Sequence, residues 1–418
     1  MSKLIAKIKN LLFIIGPGVF LIGYNIGTGS VVTMAKSGAD FGMQLFWAVV
    51  LSCVFTYVLM VAYGKTTIVT GRTALSNFRL MFWRYKIGDI LSIYIIIALV
   101  IGELFSLYGI LGIVSDLIQE GAHIIGFNNF ISTIWISLLV VLILYTIFWQ
   151  GNYKIFEKFL MVLVAGMALC FVIVFFMVKP DYGVIARGLI PDIPDVNGAT
   201  QLTAAIAGTT VSAAVFVIRS TLVAEKKWTE QDIDDEKHDA FFSAFMMLIL
   251  SGIIMAVSAG TLHVMGIKLT DTVQLIHLFE PIGGKLAAVL LIIGICAAGI
   301  SSMFPIILIA PWLICDYKNQ ERDIKSPLFR YLGFGAFLFA FLMQFLGKKP
   351  PIIVVTAMTF QAFILPAVVI PIFILMHNKK FMKGHENSFL FDVGLVASLI
   401  FSFITAYFSF DGLLNNFF

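Results

Sequence analysis

A polar interruption in the first apolar stretch of this chain suits the binding of a small charged ligand. It is Gly27-Thr28-Gly29-Ser30, which combines two glycines with two hydroxyl side chains. Each glycine costs about 1 kcal/mol relative to alanine in a helix, so the segment predicts an unwound backbone. Free N–H groups at 29–31 would bind an anion or a carboxylate, and carbonyls near Gly23 and Ile26 would suit a small cation. The alternative is close helix packing, because Gly23 and Gly27 have the GxxxG spacing.

A second group of small and hydroxyl-bearing residues has the same character. It is centred on Thr209, Thr210 and Ser212. No proline forces a break there, so the sequence leaves open whether this helix is interrupted. The two segments together predict a substrate site made of Gly27, Thr28, Gly29, Ser30, Thr209, Thr210 and Ser212.

Two ionisable residues lie within long apolar stretches, where such residues are rare and usually face a polar cavity or a partner. Glu103 is a candidate proton carrier, and Arg219 is a candidate for coupling or gating. The two side chains could instead form a fixed pair that only orients helices. Arg219 could also extend along its own helix toward the cytoplasm.

Two adjacent serines suggest a third site. Ser301 and Ser302 follow Ala298 by about one helical turn in an otherwise apolar run. Their hydroxyls and the Ala298 carbonyl are hard oxygen ligands that could bind a sodium-sized ion. The serines could equally hydrogen-bond back to their own helix.

The composition indicates which class of protein carries these residues. The chain has 418 residues, of which 60% are hydrophobic and 12% charged, and its mean hydropathy is +0.99. Soluble domains are about 25% charged, so a cytosolic enzyme, a nucleic-acid binder and a secreted disulfide scaffold are excluded as the main interpretation. No nucleophile–base pair or phosphate loop is visible, and we expect neither an enzyme nor a cofactor. The cysteines show no disulfide or zinc pattern.

Stretches long enough to cross ~30 Å of hydrocarbon predict an all-α polytopic membrane protein with eleven spans. They lie at about 11–35, 43–64, 88–117, 131–149, 155–178, 201–224, 239–265, 283–315, 328–346, 351–376 and 389–412. Of the 28 Lys and Arg residues, about twenty fall on the side of the N-terminus and about seven on the other. We therefore expect a cytoplasmic N-terminus, an external C-terminus and a location in a bacterial inner membrane.

An odd number of spans with a break in the first predicts two inverted five-helix repeats and one extra helix in a single domain, 1–418. The first repeat covers about 11–178, the second about 201–376, and the extra helix about 389–412. Asn25 and Gln361 are expected to line the pathway. The acidic loop at 226–239, KKWTEQDIDDEKHD, is expected to be solvated.

Motifs along most of the chain resemble those of NRAMP divalent-metal/proton symporters. They are GPGxxL, IGTGS and SGADFG in the first span, GLIPDIP before the sixth span and AGTTVxxxxxxIRSTLV within it, CAAGISS in the eighth span, and LPxxxIPxxxLMHNKKFMKG at the end of the tenth. The resemblance implies a LeuT-type fold, with a bundle of helices 1, 2, 6 and 7 that rocks against the rest in alternating access.

The chain departs from this family at the metal site. The family's Asp-Pro-Gly-Asn corresponds to Gly27-Thr28-Gly29-Ser30, which lacks the metal-binding Asp and Asn. The family's methionine ligand in the sixth span is replaced by Ser212, and its following histidine by Ala214. Neutral oxygens alone are poor ligands for a transition metal, so we expect the family-typical metal site to be absent.

Two ionisable positions of the family are also altered. Its second histidine in the sixth span is Arg219 here, and its aspartate in the third span falls at Val100. Its glutamate in the third span is retained as Glu103. Arginine adds positive potential, which further disfavours a metal cation at the predicted site.

The leading hypothesis is a secondary transporter of a small, carboxylate-bearing organic solute, coupled to Na⁺ or H⁺ and monomeric in the lipid bilayer. The glycine-rich break is similar to that of amino-acid transporters of the same fold superfamily. The serine pair resembles the sodium site of its sodium-coupled members, where Gly23, Ile26, Ala298, Ser301 and Ser302 would be the ligands. The alternative is a proton-coupled transporter of Mg²⁺ or Mn²⁺ with an altered site, and Glu103 is the acidic residue available to it.

Overall fold

The computed structural model describes residues 17–25, 27–83, 86–126, 132–150, 153–278, 280–347, 349–385 and 387–417. The first eight helices are α1 Pro17–Asn25, α2 Thr28–Phe41, α3 Phe46–Thr70, α4 Ala74–Met81, α5 Ile87–Ile125, α6 Thr133–Gln150, α7 Tyr153–Val178 and α8 Tyr182–Arg187. They are followed by α9 Ala199–Thr210, α10 Ala213–Lys226, α11 Ile233–Ser258, α12 Glu280–Lys318, α13 Pro327–Met343, α14 Pro350–Met376, α15 Lys379–Met382 and α16 Phe389–Phe417. A π-helical segment, Ala259–His263, extends α11.

The predicted spans all have helical counterparts. Within the described ranges, nine helical stretches are long and apolar enough to cross a membrane. The first predicted span corresponds to the pair α1 and α2, and the fifth to the 26-residue α7. The short helices α4, α8 and α15 connect spans. The fold class predicted from the sequence is therefore correct.

The first and sixth spans are both broken near their middle. In the first span α1 ends at Asn25, and extended backbone at Gly27 (φ −86°, ψ −176°) precedes α2. In the sixth span α9 ends at Thr210, and α10 begins at Ala213 after an extended Ser212 (φ −70°, ψ 125°). The structure thus answers the question that the sequence left open, since the sixth span is interrupted without a proline. Irregular backbone at membrane depth persists where it is buried in protein or lines a cavity.

Glycine allows a third helix, α14, to approach both breaks. α14 packs against α5, α9 and α16. A Cβ atom at Gly208 in α9 would overlap the carbonyl oxygen of Met358 in α14, so the two backbones are in direct contact there. A Cβ atom at Gly29 in α2 would lie 2.9 Å from the Met358 methyl carbon. α14 therefore carries its side chains directly to the two interrupted helices.

Candidate functional site

A cavity of about 30 Å³ lies between the two helix breaks. Its lining comes from α1, α2, α5, α9, α12, α14 and the break before α10, and comprises Tyr24, Asn25, Gly27, Gly29, Ser30, Glu103, Ser106, Ile110, Thr209, Ser212, Ser302, Ile306, Met358 and Gln361. Every one of these residues is buried. The structure therefore has a cavity in the protein interior, lined by polar groups from both broken helices.

Glu103 is at the centre of the hydrogen-bond network in this cavity. Its carboxylate accepts a hydrogen bond from the hydroxyl of Tyr24 in α1 and another, of 2.8 Å, from Nε2 of Gln361 in α14. The amide oxygen of Gln361 in turn accepts a hydrogen bond of 2.8 Å from the Ser212 hydroxyl. The network joins both breaks to α5 and α14 through a buried carboxylate.

Five of the seven predicted substrate residues line the cavity, and these are Gly27, Gly29, Ser30, Thr209 and Ser212. Thr28 and Thr210 are buried outside its lining. The Thr28 hydroxyl lies 3.4 Å from the Ile295 carbonyl, and the Thr210 carbonyl accepts a hydrogen bond from Thr56. These two residues therefore support packing between helices rather than the cavity.

The break in the first span comes earlier than the sequence predicted. Thr28, Gly29 and Ser30 form the first turn of α2, and the Val31 N–H donates to the Gly27 carbonyl at 3.0 Å. The prediction that the Val31 N–H is free was wrong, because the helix already closes its first bond there. Gly27 also provides the close packing considered as the alternative, since a Cβ atom there would collide with Ser302.

The two serines predicted to bind sodium make hydrogen bonds within their own helix. The hydroxyls of Ser301 and Ser302 both donate to the Ala298 carbonyl of their own helix, at 2.8 and 2.7 Å. Ser302 lines the main cavity, whereas Gly23 is a residue of α1 that does not. Ile26 lies outside the described residues. The arrangement is the intrahelical bonding that the sequence allowed as an alternative.

Arg219 does not pair with Glu103 and does not reach the protein surface. It is fully buried and pairs with two carboxylates of α11, Glu236 at 2.9 Å and Asp239. Glycine at position 64 of α3 makes room for the Glu236 side chain. Glu236 and Asp239 belong to the end of the acidic loop that we expected to be solvated. That expectation was wrong for these two residues, because Arg219 provides a buried partner.

Sequence reasoning missed three polar or sulfur-bearing residues of the cavity, Tyr24, Ser106 and Met358. Tyr24 adjoins the first break, which was a usable signal. Met358 lies in an apolar helix with no local pattern, and only the packing of α14 brings it to the cavity. Asn25 and Gln361 line the cavity as predicted. No group of three or more His, Cys, Asp or Glu side chains that could hold a metal occurs within the described ranges.

Comparisons with known proteins agree with this architecture. The family model "Natural resistance-associated macrophage protein-like" matches residues 18–410. A divalent metal cation transporter MntH of Klebsiella pneumoniae is 26% identical over 402 residues, covering 93% of this chain and 90% of that protein. The MntH of Ralstonia nicotianae is 25% identical over 311 residues, covering 71% of this chain and 67% of that protein.

Solved structures show the same fold. The manganese transporter of Eremococcus coleocola superposes with a TM-score of 0.72 at 16% identity, covering 96% of this chain and 86% of that one. Mhp1, a nucleobase-cation-symport-1 family transporter, superposes with a TM-score of 0.62 at 13% identity, covering 95% and 92%. The fold is the predicted LeuT-type arrangement, and the relatives are transporters rather than enzymes. The chain is therefore an integral membrane protein that belongs to the NRAMP family of secondary transporters.

Proposed function

We propose that this protein transports a divalent metal cation by alternating access, with the cavity around Glu103 as the substrate site. The observation that carries the proposal is the charge of the cavity. Among the described lining residues, Glu103 is the one with a formal charge, and that charge is negative when the carboxyl group is ionised. Arg219, which the sequence placed near the site, is paired with Glu236 and Asp239 instead.

This charge argues against the organic carboxylate that was our leading hypothesis. A substrate carboxylate would be brought next to Glu103 in a medium of low dielectric constant, where like charges repel strongly. The comparisons favour the alternative too, since the two bacterial relatives are named as divalent metal cation transporters.

The donor groups fit a cation as well. Around Glu103 lie the amides of Asn25 and Gln361 and the hydroxyls of Ser30 and Ser212. Their oxygens are ligands of the kind that Mg²⁺ and Mn²⁺ accept. The site differs from the family motif, because its carboxylate comes from α5 instead of the first helix break. We therefore propose that the altered site retains metal transport with a rearranged ligand set.

The proposed coupling ion is the proton. Glu103 can carry one, and a metal that binds its carboxylate would compete with that proton. Sodium is less well supported, because Ser302 is the one residue of the predicted sodium site among the described lining residues. Uptake should then respond to a pH gradient across the membrane and be unchanged when Na⁺ is replaced by choline.

The test is metal uptake into proteoliposomes, measured with a metal-sensitive dye sealed inside. Wild-type protein should import Mn²⁺ or Mg²⁺, and Glu103→Gln should reduce the rate at least about 30-fold, because losing one partner of a buried charge pair costs about 2–5 kcal/mol and each 1.4 kcal/mol is about tenfold. Glu120→Gln is the matched control, since Glu120 lies in the same helix and outside the cavity. Full uptake by the Glu103 variant would refute the assignment. Uptake of amino acids without metal uptake would restore the organic-solute hypothesis.

A further inference from the structure

The sulfur of Met358 is an unassigned part of the cavity. Among the described lining residues, Met358 alone has a sulfur atom, and it belongs to α14, far in sequence from both helix breaks. It is 6% exposed. Its sulfur would lie 3.4 Å from a Cβ atom at Gly29. The thioether is therefore placed beside the first turn of α2, on the wall of the same small cavity that contains the Glu103 carboxylate.

The packing that places Met358 there is specific. The backbone of Met358 touches α9 at Gly208, where any Cβ atom would overlap its carbonyl oxygen. Its side chain crosses the space that a residue larger than Gly29 would occupy. Since a Cβ atom at either glycine would meet Met358, the two broken helices hold this residue between them. Ser212, where the resemblance places a methionine in the family, lies in the second break and bonds to Gln361.

We infer that Met358 is a direct ligand of the transported cation and gives the site a preference for transition metals over Mg²⁺ and Ca²⁺. This inference rests on the proposed function. A thioether is a neutral, soft donor that adds affinity for soft ions and none for hard ones. The carboxylate of Glu103 supplies the charge, and the amides of Asn25 and Gln361 supply neutral oxygens. Cd²⁺ is the softest convenient probe of such a mixed oxygen and sulfur site.

Methionine also fills gaps in apolar cores, and the variants distinguish that role from ligation. Met358→Leu keeps the volume and removes the sulfur, so a residue that only packs would tolerate it at a cost below about 1.5 kcal/mol. Met60→Leu is the matched control. Met60 is fully buried in α3 and does not line the cavity.

The experiment measures Cd²⁺, Mn²⁺ and Mg²⁺ binding to purified protein by calorimetry, together with the X-ray absorption spectrum of bound Cd²⁺. Wild-type protein and Met60→Leu should bind Cd²⁺ more tightly than Mg²⁺ and show a sulfur scatterer. Met358→Leu should lose that scatterer and at least about 10-fold in Cd²⁺ affinity, because even groups that only orient ligands contribute about 10- to 100-fold. Mg²⁺ affinity should change little.

Two results would overturn the inference in different ways. A wild-type spectrum with oxygen and nitrogen scatterers alone would exclude Met358 as a ligand and leave metal transport intact. The absence of any divalent-cation binding by wild-type protein that unfolds cooperatively would reject the proposed function itself.

Discussion

Removal of Arg219 should destabilise the protein more than removal of a surface charge does. Arg219, Glu236 and Asp239 have side chains that are 0% exposed, and Arg219 donates to both carboxylates and to the Glu236 carbonyl at 3.2 Å. Arg219→Ala would leave two carboxylates buried without this cation. Breaking a buried ion pair from one side costs about 3–5 kcal/mol, because the remaining charge has lost its water and its partner.

This loss in the free energy of unfolding can be expressed as a lower unfolding temperature. At about 2.1 cal/mol/K per residue, the 418-residue chain has an unfolding entropy of roughly 0.9 kcal/mol/K. A loss of about 3–5 kcal/mol therefore lowers the unfolding temperature by about 3–6 °C. Differential scanning fluorimetry of protein in detergent resolves such a shift.

Two further variants test the cause. Arg322→Ala removes an ion pair whose carboxylate partner, Glu225, is 54% exposed, and should cost about 1 kcal/mol or less. Combining Arg219→Met with Glu236→Gln and Asp239→Asn removes all three charges and should recover most of the loss. Equal unfolding temperatures for Arg219→Ala and Arg322→Ala, or a triple variant less stable than the single one, would refute this reasoning.

Three smaller predictions follow from the packing of the site. Gly208→Ala should cost about 1–3 kcal/mol, seen as a lower unfolding temperature, because its Cβ atom meets the backbone of Met358; an unchanged temperature would contradict that contact. Gly29→Leu should abolish uptake because its side chain would fill the cavity, and it should cost little stability because the atoms that it meets are the flexible end of Met358. Normal uptake by this variant would show that the cavity is not the transport site. Ser301→Ala should leave metal uptake and its independence of Na⁺ unchanged, because the hydroxyl donates within α12. A loss of uptake in this variant would instead support the predicted sodium site at Ser301 and Ser302.

The sequence predicted the elements of this fold well and its polar contacts poorly. Long apolar stretches dictate the spans, because a membrane helix must satisfy its backbone internally and needs a fixed length. The glycines and hydroxyls at 27–30 located the first break to within two residues. Glu103 was identified as deep and ionisable by its apolar neighbours alone.

The partners of these residues depend on packing between helices distant in sequence. Arg219 was considered with Glu103, but Glu236 and Asp239 were assigned to a solvated loop because their local sequence is polar. The burial of Glu236 depends on the approach of α3, which Gly64 permits. The sequence did not predict that Met358 lines the cavity, because an apolar residue in an apolar helix gives no local signal.

The network around Glu103 has a consequence for the transport cycle. Tyr24 and Ser212 belong to the broken spans, and Gln361 belongs to α14, so in the absence of cargo the carboxylate still has protein donors. A buried polar group costs free energy mainly when it lacks a partner. If the cavity is the transport site, the carrier without metal keeps its buried carboxylate hydrogen-bonded, so its return does not require a second metal ion. We therefore expect net metal uptake as well as one-for-one metal exchange.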